Sequence, residues 1–461
     1  MTAEAESASD LVVIGGGAGG MTAASRARRR QPDWRITVFE RGDYVSFILC
    51  GLPYYVDDVI ASHESLIVYT PEFFEKERRI EVRTGHEVRR IDHERRLLEV
   101  TDVRTGRAFN WGYGKLVVAT GAEAVRPRLE GIDLGNVFVL RTIDDGRRIK
   151  AALQEGGLRH AVVIGAGYIG VEMAEALTEA GLETVLIEAT ANVLPGIGPE
   201  IGEVVERELA DHGVSVHKEE MAQRLEGGQR VEGVVASGGE YPAEIVIVSV
   251  GARPAVGVLQ EAGIALGPTG AIATTERMET NLSGVYAVGD VAEAHHLVAG
   301  KAVWVPLGTT ANKQGRVAGE NAAGGSAVFQ GIVGTAAVKV FGLEVARTGL
   351  TEVQAREAGF DPVGVAIEQP SHGSYYPGAT TLRVKLIADR QSGRLLGGQI
   401  VGREAAAKRI DVLAAALHAR MDVEAINALD LSYAPPFATS WEAIQIAAQQ
   451  AMGKLQRPER S

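Results

Sequence analysis

LVVIGGGAGGMTAASRARRR at residues 11–30, continued by ITVFE at 36–40, and AVVIGAGYIGVEMAEALTEAGLETVLIE at residues 161–188 carry one pattern twice. Each copy is a β-branched apolar run, a glycine-rich turn, an alanine-rich helical stretch, a second apolar run and a terminal glutamate. That order is a βαβ unit. Gly15 permits the tight turn, Gly17 lets the backbone approach a pyrophosphate, and Gly20 allows close helix packing; Gly165, Gly167 and Gly170 repeat these roles. Ala18 and Gly19 in the first copy, and Tyr168 and Ile169 in the second, belong to the same cofactor-facing helix starts. Glu40 and Glu188 stand where a carboxylate accepts hydrogen bonds from adenosine ribose hydroxyls. A lone glycine fingerprint also describes turns that bind nothing. Here each copy follows a strand, opens a helix and ends in an acid, so two dinucleotide sites are expected.

The rest of the composition is that of an ordinary globular chain: 461 residues, 46% hydrophobic and 23% charged, enough for roughly two to four domains. A formal net charge of -12 repels phosphate backbones and anionic lipid. Neither a nucleic-acid nor a membrane partner is expected. No apolar run reaches the roughly 18 residues that span a bilayer, and MTAEAESASD is acidic and polar, so a cytoplasmic protein with a short frayed tail is expected. His295 and His296 are sequence neighbours that point apart, with no convergent acid or cysteine, and no metal site is expected.

Two further segments complete the pattern. KLVVATGAEAVRP from Lys115 is a strand running into a glycine turn, and TNLSGVYAVGDVAEA from Thr280 is a strand ending in Gly289 and Asp290. Together with the repeated βαβ unit they resemble the flavoproteins with two dinucleotide-binding domains, whose ATG segment closes the first domain and whose YAxGD aspartate binds the flavin ribitol. The resemblance covers nearly the whole chain. It implies an α/β fold: two Rossmann-like domains, binding FAD and NAD, plus an α+β C-terminal dimerisation domain. The implied limits are 1–120 and 251–325 for the FAD domain, 121–250 for the NAD(P) domain and 326–461 for the dimerisation domain. TLRVKLIAD and GRLLGGQIVG read as strands of that last region, and KRIDVLAAALHARM as a helix. Further implied cofactor contacts are Arg41, Val88, Ala119, Thr120, Gly121, Gly251 and Ala311. A homodimer is implied as well.

VSFILCGLPYYV, residues 45–56, holds Cys50, the only cysteine in the chain. No intrachain disulfide can form, so any disulfide chemistry needs a sulfur from outside. GLPYYVDDVI reads as a helix start with Pro53 in its first turn. A cysteine just ahead of a helix feels the positive end of its dipole and is expected to have a lowered pKa. Buried, inert packing among Phe47, Ile48 and Leu49 is an equal alternative on chemistry alone. The stretch also resembles the SFxxCGLPYY segment of coenzyme A disulfide reductases and their NADH-dependent persulfide and polysulfide reductase relatives. That resemblance implies that Cys50 is catalytic and forms a mixed disulfide with coenzyme A. Paired-cysteine CxxxxC reductases are excluded as close models. Single-cysteine NADH oxidases, cycling a sulfenic acid, are a nearer alternative, but their first glycine loop usually carries a histidine where this chain has Ala18. A third possibility is an electron-transfer reductase for a redox protein, with Cys50 structural.

Coenzyme A carries phosphates, and ASRARRR supplies Arg26, Arg28, Arg29 and Arg30, which equally describe a solvated patch at a helix C-terminus. The resemblance places Thr22, Arg26, Arg29, Ser46, Arg78 and Asn312 around the coenzyme. It also makes Tyr433 of LSYAPPFATSW a catalytic residue of the partner subunit that stabilises or protonates a departing thiolate, with Tyr376 of the SYYPG turn (Tyr375, Tyr376) as a second tyrosine. Two positions depart from the pattern, Leu49 before the cysteine and Trp441 after the YAPPF turn, and both bear on which acceptor fits. The sequence as it stands has no rhodanese-like extension, so a sulfur carrier is expected to be a separate protein. Glu188 repels a 2'-phosphate and ATANVLPG offers no arginine, so NADH is expected ahead of NADPH.

Overall fold

The computed structural model describes residues 5–456. Strand β1 (Ser7–Ile14) leads through the first glycine loop into α1 (Ala18–Arg30) and then β2 (Ile36–Glu40). A 3-10 turn, Leu49–Gly51, runs directly into α2 (Leu52–Val56), and α3 (Pro71–Arg78) follows. β3 (Glu81–Thr84), β4 (His86–Asp92), β5 (Leu97–Asp102) and β6 (Ala108–Val118) complete the order β3-β2-β1-β6-β5-β4, and Val285–Ala287 adds a seventh strand on β6. β1, β2, β3 and β6 run parallel. Helices cover them, which is why LVVI and ITVF are continuous apolar runs rather than alternating ones.

The expected frayed tail is corrected from Ser7 onward. Ser7 to Ser9 pair in register with Trp111 to Tyr113 of β6. The polar side chain at Ser9 is buried but satisfied, accepting from the Trp111 indole at 3.1 Å and bonding the Thr37 hydroxyl at 2.8 Å. Sheet pairing thus accommodates the hydroxyl that made the segment read as solvated. Residues 1–4, where the rest of that tail and the domain limit at 1 fall, lie outside the described residues, as does the limit at 461.

A two-stranded ribbon, Ala122–Ala124 against Ala252–Pro254, carries the chain into and out of a second sheet. α4 (Ile143–Glu155), α5 (Tyr168–Glu179) and α6 (Pro199–Asp211) accompany five parallel strands there, in the order 215–218, 183–188, 160–164, 245–248, 137–138. α7 (Gly257–Glu261) and α8 (Gly308–Ala322) belong to the return to the first sheet. The C-terminal third is a five-stranded antiparallel sheet, 336–340, 343–349, 395–402, 381–389, 362–370, backed by helices Ala406–His418 and Ala443–Leu455. Among the described residues no helix is long and apolar enough to cross a membrane.

One apolar core joins all three parts. Leu52, Tyr55 and Val56 of α2 pack in the same cluster as Val171 and Leu177 of α5 and Val338, Val345 and Val401 of the C-terminal sheet. Charged contacts flank it: Glu208 takes the Arg403 guanidinium, and the buried Lys385 ammonium reaches Glu200 at 2.8 Å and Glu352 at 2.7 Å. Lys385 is 3% exposed against 43% and 30% for its partners. Lys385→Met removes a desolvated cation and leaves two carboxylates that turn partly to water, so the loss falls below that of a wholly buried pair. The first thermal unfolding midpoint is expected to drop by about 5 °C. A midpoint unchanged within error in differential scanning calorimetry would remove the pair from the account of how the second and third sheets are held together.

Candidate active site

The two glycine loops are superposable in their particulars. Gly15 and Gly165 sit at φ +102° and +100°, the left-handed region in which a side chain is strained. A Cβ on Gly20 would lie 2.0 Å from the Gly15 carbonyl oxygen, and one on Gly170 would lie 1.9 Å from that of Gly165. At Gly17 and Gly167, by contrast, nothing stands within 4 Å of where a Cβ would be. These residues are the N-caps of α1 and α5 and offer no side-chain cap, so the first-turn N–H groups face open space. A diphosphate fits that arrangement. Each loop is also tied to its acid: Gly16 N–H donates to Glu40 at 2.7 Å, Ala166 N–H donates to Glu188 at 2.7 Å, and the second carboxylate oxygens take Gly42 N–H and Thr190 N–H. The carboxylates are fixed by the backbone, and their remaining lone pairs suit ribose hydroxyls.

α8 brings the later segments to the first loop. Gly315 lies against the Gly19 carbonyl and Gly319 against Ala23, where Cβ atoms would come within 2.3 Å and 2.2 Å of backbone oxygen. This small-residue seam, which the sequence reading did not single out, sets Ala311 beside Gly19 and Gly289. Gln314, fully buried, accepts from Gly289 N–H and donates to the Glu293 carbonyl. Asp290 accepts from Arg141 Nη2 at 2.5 Å, and Trp304 Nε1 donates to the Asp290 carbonyl. Ala119 N–H donates to Ile14, Thr120 Oγ1 to Ala255, and Gly121 and Gly251 mark the two passages of the ribbon. Arg41 is exposed beside Glu87, and Val88 is buried in β4. Tyr168 and Ile169 are partly buried on the α5 start, with the Tyr168 hydroxyl buried and unpartnered.

Cys50 sits in the 3-10 turn rather than ahead of a long helix, and it keeps access to solvent. Its expected lowered pKa is corrected. The protein packed around it pushes the thiol up, Glu172 and Asp290 push the same way, and Arg141 only partly offsets them. A five-residue α2 supplies too little dipole to outweigh two carboxylates. Glu172 and Arg141 were not found from sequence, because they stand well over 80 residues along the chain and come to Cys50 only through domain packing. Leu49 turns toward the joint core, while Ile48 is exposed.

The positions assigned to a coenzyme divide into separate groups. The Thr22 hydroxyl donates to Asn312 at 2.8 Å. Arg26 is held by Glu320 at 2.7 Å and lines one cleft with Lys313 and Arg316. Arg29 and Arg78 line another, of about 540 Å³, with Arg78 donating to Ser25 and lying 5.4 Å from the Tyr69 and Phe73 rings. Arg28 is spent on the carbonyls of Arg78, Arg79 and Pro32, and Arg30 on Glu320. Ser46, at φ 50°, donates its N–H to the Gly16 carbonyl beside the first loop. On the C-terminal sheet the Tyr433 hydroxyl meets that of Tyr375 at 2.8 Å, and both side chains are exposed, as is Trp441. Tyr376 stacks edge-on against the buried His372 instead. His295 and His296 do point apart: His295 is exposed, and His296 is buried with Nδ1 accepting from Val298 and Ala299 N–H. Among the described residues no group of three or more His, Cys, Asp or Glu side chains is disposed to hold a metal.

Two open glycine loops at the heads of parallel sheets, with a cysteine turn between them, define an oxidoreductase that uses a flavin and a nicotinamide. The model of the pyridine nucleotide-disulphide oxidoreductases matches residues 9–315, and that of the dimerisation domain of the same proteins matches 335–444. The chain belongs to this family. It is 39% identical over 440 residues, 95% of this chain and 97% of the relative, to an NAD(P)H coenzyme A polysulfide/persulfide reductase of Pyrococcus horikoshii. A coenzyme A disulfide reductase of Staphylococcus aureus is 31% identical over 93% of this chain and 96% of its own length. Among solved structures, an NAD-dependent persulfide reductase from A. fulgidus superposes with a TM-score of 0.93 at 40% identity, covering 96% of this chain and 83% of that one.

Proposed function

We propose that this protein reduces coenzyme A disulfide, or a coenzyme A persulfide or polysulfide, with NADH as the electron source, FAD as the flavin and Cys50 as the sulfur that forms the mixed disulfide. The observation that carries the reading is a lone cysteine at the junction of the two glycine-loop units and the C-terminal sheet, with no second thiol in the chain. The names of the relatives point the same way. The flavin, when bound, relays the electron pair from nicotinamide to the Cys50 sulfur. Residues 1–120 and 251–325 hold it in this reading, 121–250 hold the nicotinamide, and 326–461 form the dimer contact of a cytoplasmic protein. The ribbon at Gly121 and Gly251 supports that division.

Glu40 and the Gly15–Gly20 loop hold FAD, and Asp290, oriented by Arg141, takes the ribitol. Glu188, already engaged by two backbone N–H groups, accepts ribose hydroxyls and disfavours a 2'-phosphate. Arg29 and Arg78 receive coenzyme A phosphates, while Arg26 has to exchange Glu320 for phosphate. Cys50 attacks the incoming disulfide and expels a thiolate. Tyr433 of the partner subunit, paired with Tyr375 rather than Tyr376, hydrogen-bonds that thiolate; the exposure of both hydroxyls supports a role outside their own subunit.

Steady-state oxidation of NADH and NADPH against coenzyme A disulfide, polysulfide and oxygen tests the reading. Turnover with a coenzyme A acceptor at least about tenfold above that with oxygen, and faster with NADH, is the expected result. Oxygen as the best acceptor would instead make the protein an oxidase.

A further inference from the structure

Glu172 belongs to α5, but its carboxyl is bonded to the Tyr54 hydroxyl of α2. Tyr54 follows Cys50 by four residues in one unbroken helical run, so the two side chains share a face. Among charged groups, Glu172 is the one that acts most strongly on the Cys50 thiol. The contact therefore links the nicotinamide unit to the reacting sulfur across the junction.

The groups around Glu172 leave its carboxyl without a cation of its own. Glu175, one turn along α5, is committed to Lys339 and to Phe341 N–H at 2.6 Å. Lys339, from strand Ala336–Val340, acts on Glu172 only at a distance, and its ammonium is taken by Glu175. On the other side of α2, Lys150 of α4 is bound to the Tyr55 carbonyl and Asp58. Burial and the neighbouring Glu175 push the Glu172 carboxyl up to about 7, and Tyr54 is pushed up to about 12. Glu172 thus holds a proton over part of the neutral range, while Tyr54 stays a phenol that can pass one on.

We propose that Glu172 is a positioning residue that stores the proton of the Cys50 cycle, giving it up through Tyr54 when Cys50 enters a mixed disulfide and regaining it when Cys50 returns to thiolate. The inference rests on the disulfide reading above. In the first half, the Cys50 thiolate attacks RSSR, forming the Cys50–SR bond and breaking the S–S bond. The departing RS⁻ takes the stored proton, leaving RSH and an ionised Glu172. In the second half, the two electrons of NADH cleave the mixed disulfide; its hydride proton and one proton from solvent go to the second RS⁻ and to Glu172. The sum is NADH, one proton and RSSR giving NAD⁺ and two RSH. Charge is conserved at each half, because Glu172 and Cys50 are never both anionic.

The test compares the holoenzyme, NADH-reduced, with Glu172→Gln and Tyr54→Phe by two measurements. The pH profile of Cys50 alkylation by iodoacetamide, followed by mass spectrometry, reports the thiolate. Turnover with coenzyme A disulfide reports the proton transfer. Glu172→Gln removes the facing charge, so the alkylation midpoint is expected to move to lower pH by about one unit, while turnover falls by about tenfold to a hundredfold. A more reactive sulfur in a slower enzyme is not the signature of packing damage. Tyr54→Phe is expected to slow turnover without that downward shift. An alkylation midpoint unmoved in Glu172→Gln, or turnover unchanged in both variants, would overturn the proposal. The alkylation arm needs no acceptor, so its result stands apart from failure of the coenzyme A reading.

Discussion

Cys50→Ser is expected to cut NADH-dependent reduction of coenzyme A disulfide and polysulfide by at least about a thousandfold, roughly 4 kcal/mol of barrier, while NADH still bleaches the flavin at a rate close to that of the parent. A serine hydroxyl is nearly isosteric, but it ionises far above a thiol and forms no disulfide. The exposure of Cys50 means that the substitution opens no cavity and leaves the core of Leu52, Tyr55 and Val56 in place. Loss of acceptor turnover therefore reports chemistry and not folding. Stopped-flow absorbance separates the two half-reactions. Full acceptor activity in the serine variant would end the mixed-disulfide mechanism and favour an electron-transfer role in which Cys50 merely packs.

The second large effect is a reciprocal pair. Gly20→Ala drives a methyl group to 2.0 Å from the Gly15 carbonyl, and Gly170→Ala drives one to 1.9 Å from the Gly165 carbonyl and 2.8 Å from Ser249 Oγ. Backbone cannot yield as a side-chain tip does, so each loop must open, at an expected cost of about 3 kcal/mol. If the first loop holds the flavin and the second the nicotinamide, Gly20→Ala purifies with little visible flavin absorbance. Gly170→Ala keeps its flavin but shows a KM for NADH raised by about a hundredfold. Flavin loss from Gly170→Ala with retention in Gly20→Ala would reverse the assignment of the loops.

Much of this was legible in the chain because its causes are local. A glycine at positive φ, a β-branched run before it and an acid after the second strand are dictated over about 30 residues, and the model places all of them where the spacing predicts. Segments that depend on pairing with distant strands were harder. Ser7–Asp10 looked like tail because its polar side chains say nothing of Trp111, whose indole satisfies Ser9. The α1–α8 seam of Gly315 and Gly319 was invisible because a helix sequence does not reveal which other helix it touches.

The cysteine shows the same division most sharply. Sequence by itself determined that any disulfide work at Cys50 borrows its second sulfur, since the chain has one cysteine, and that two loops await dinucleotides. Tertiary structure alone decided the electrostatics of that sulfur. Helix position predicts a lowered pKa, but Glu172 and Asp290 arrive from residues far along the chain and, with burial, reverse the sign. The same folding separates Arg26 from the cleft of Arg29 and Arg78, and it pairs Tyr433 with Tyr375. A charge acts across space over a few ångströms whatever its distance in sequence, and only the packed fold sets those distances.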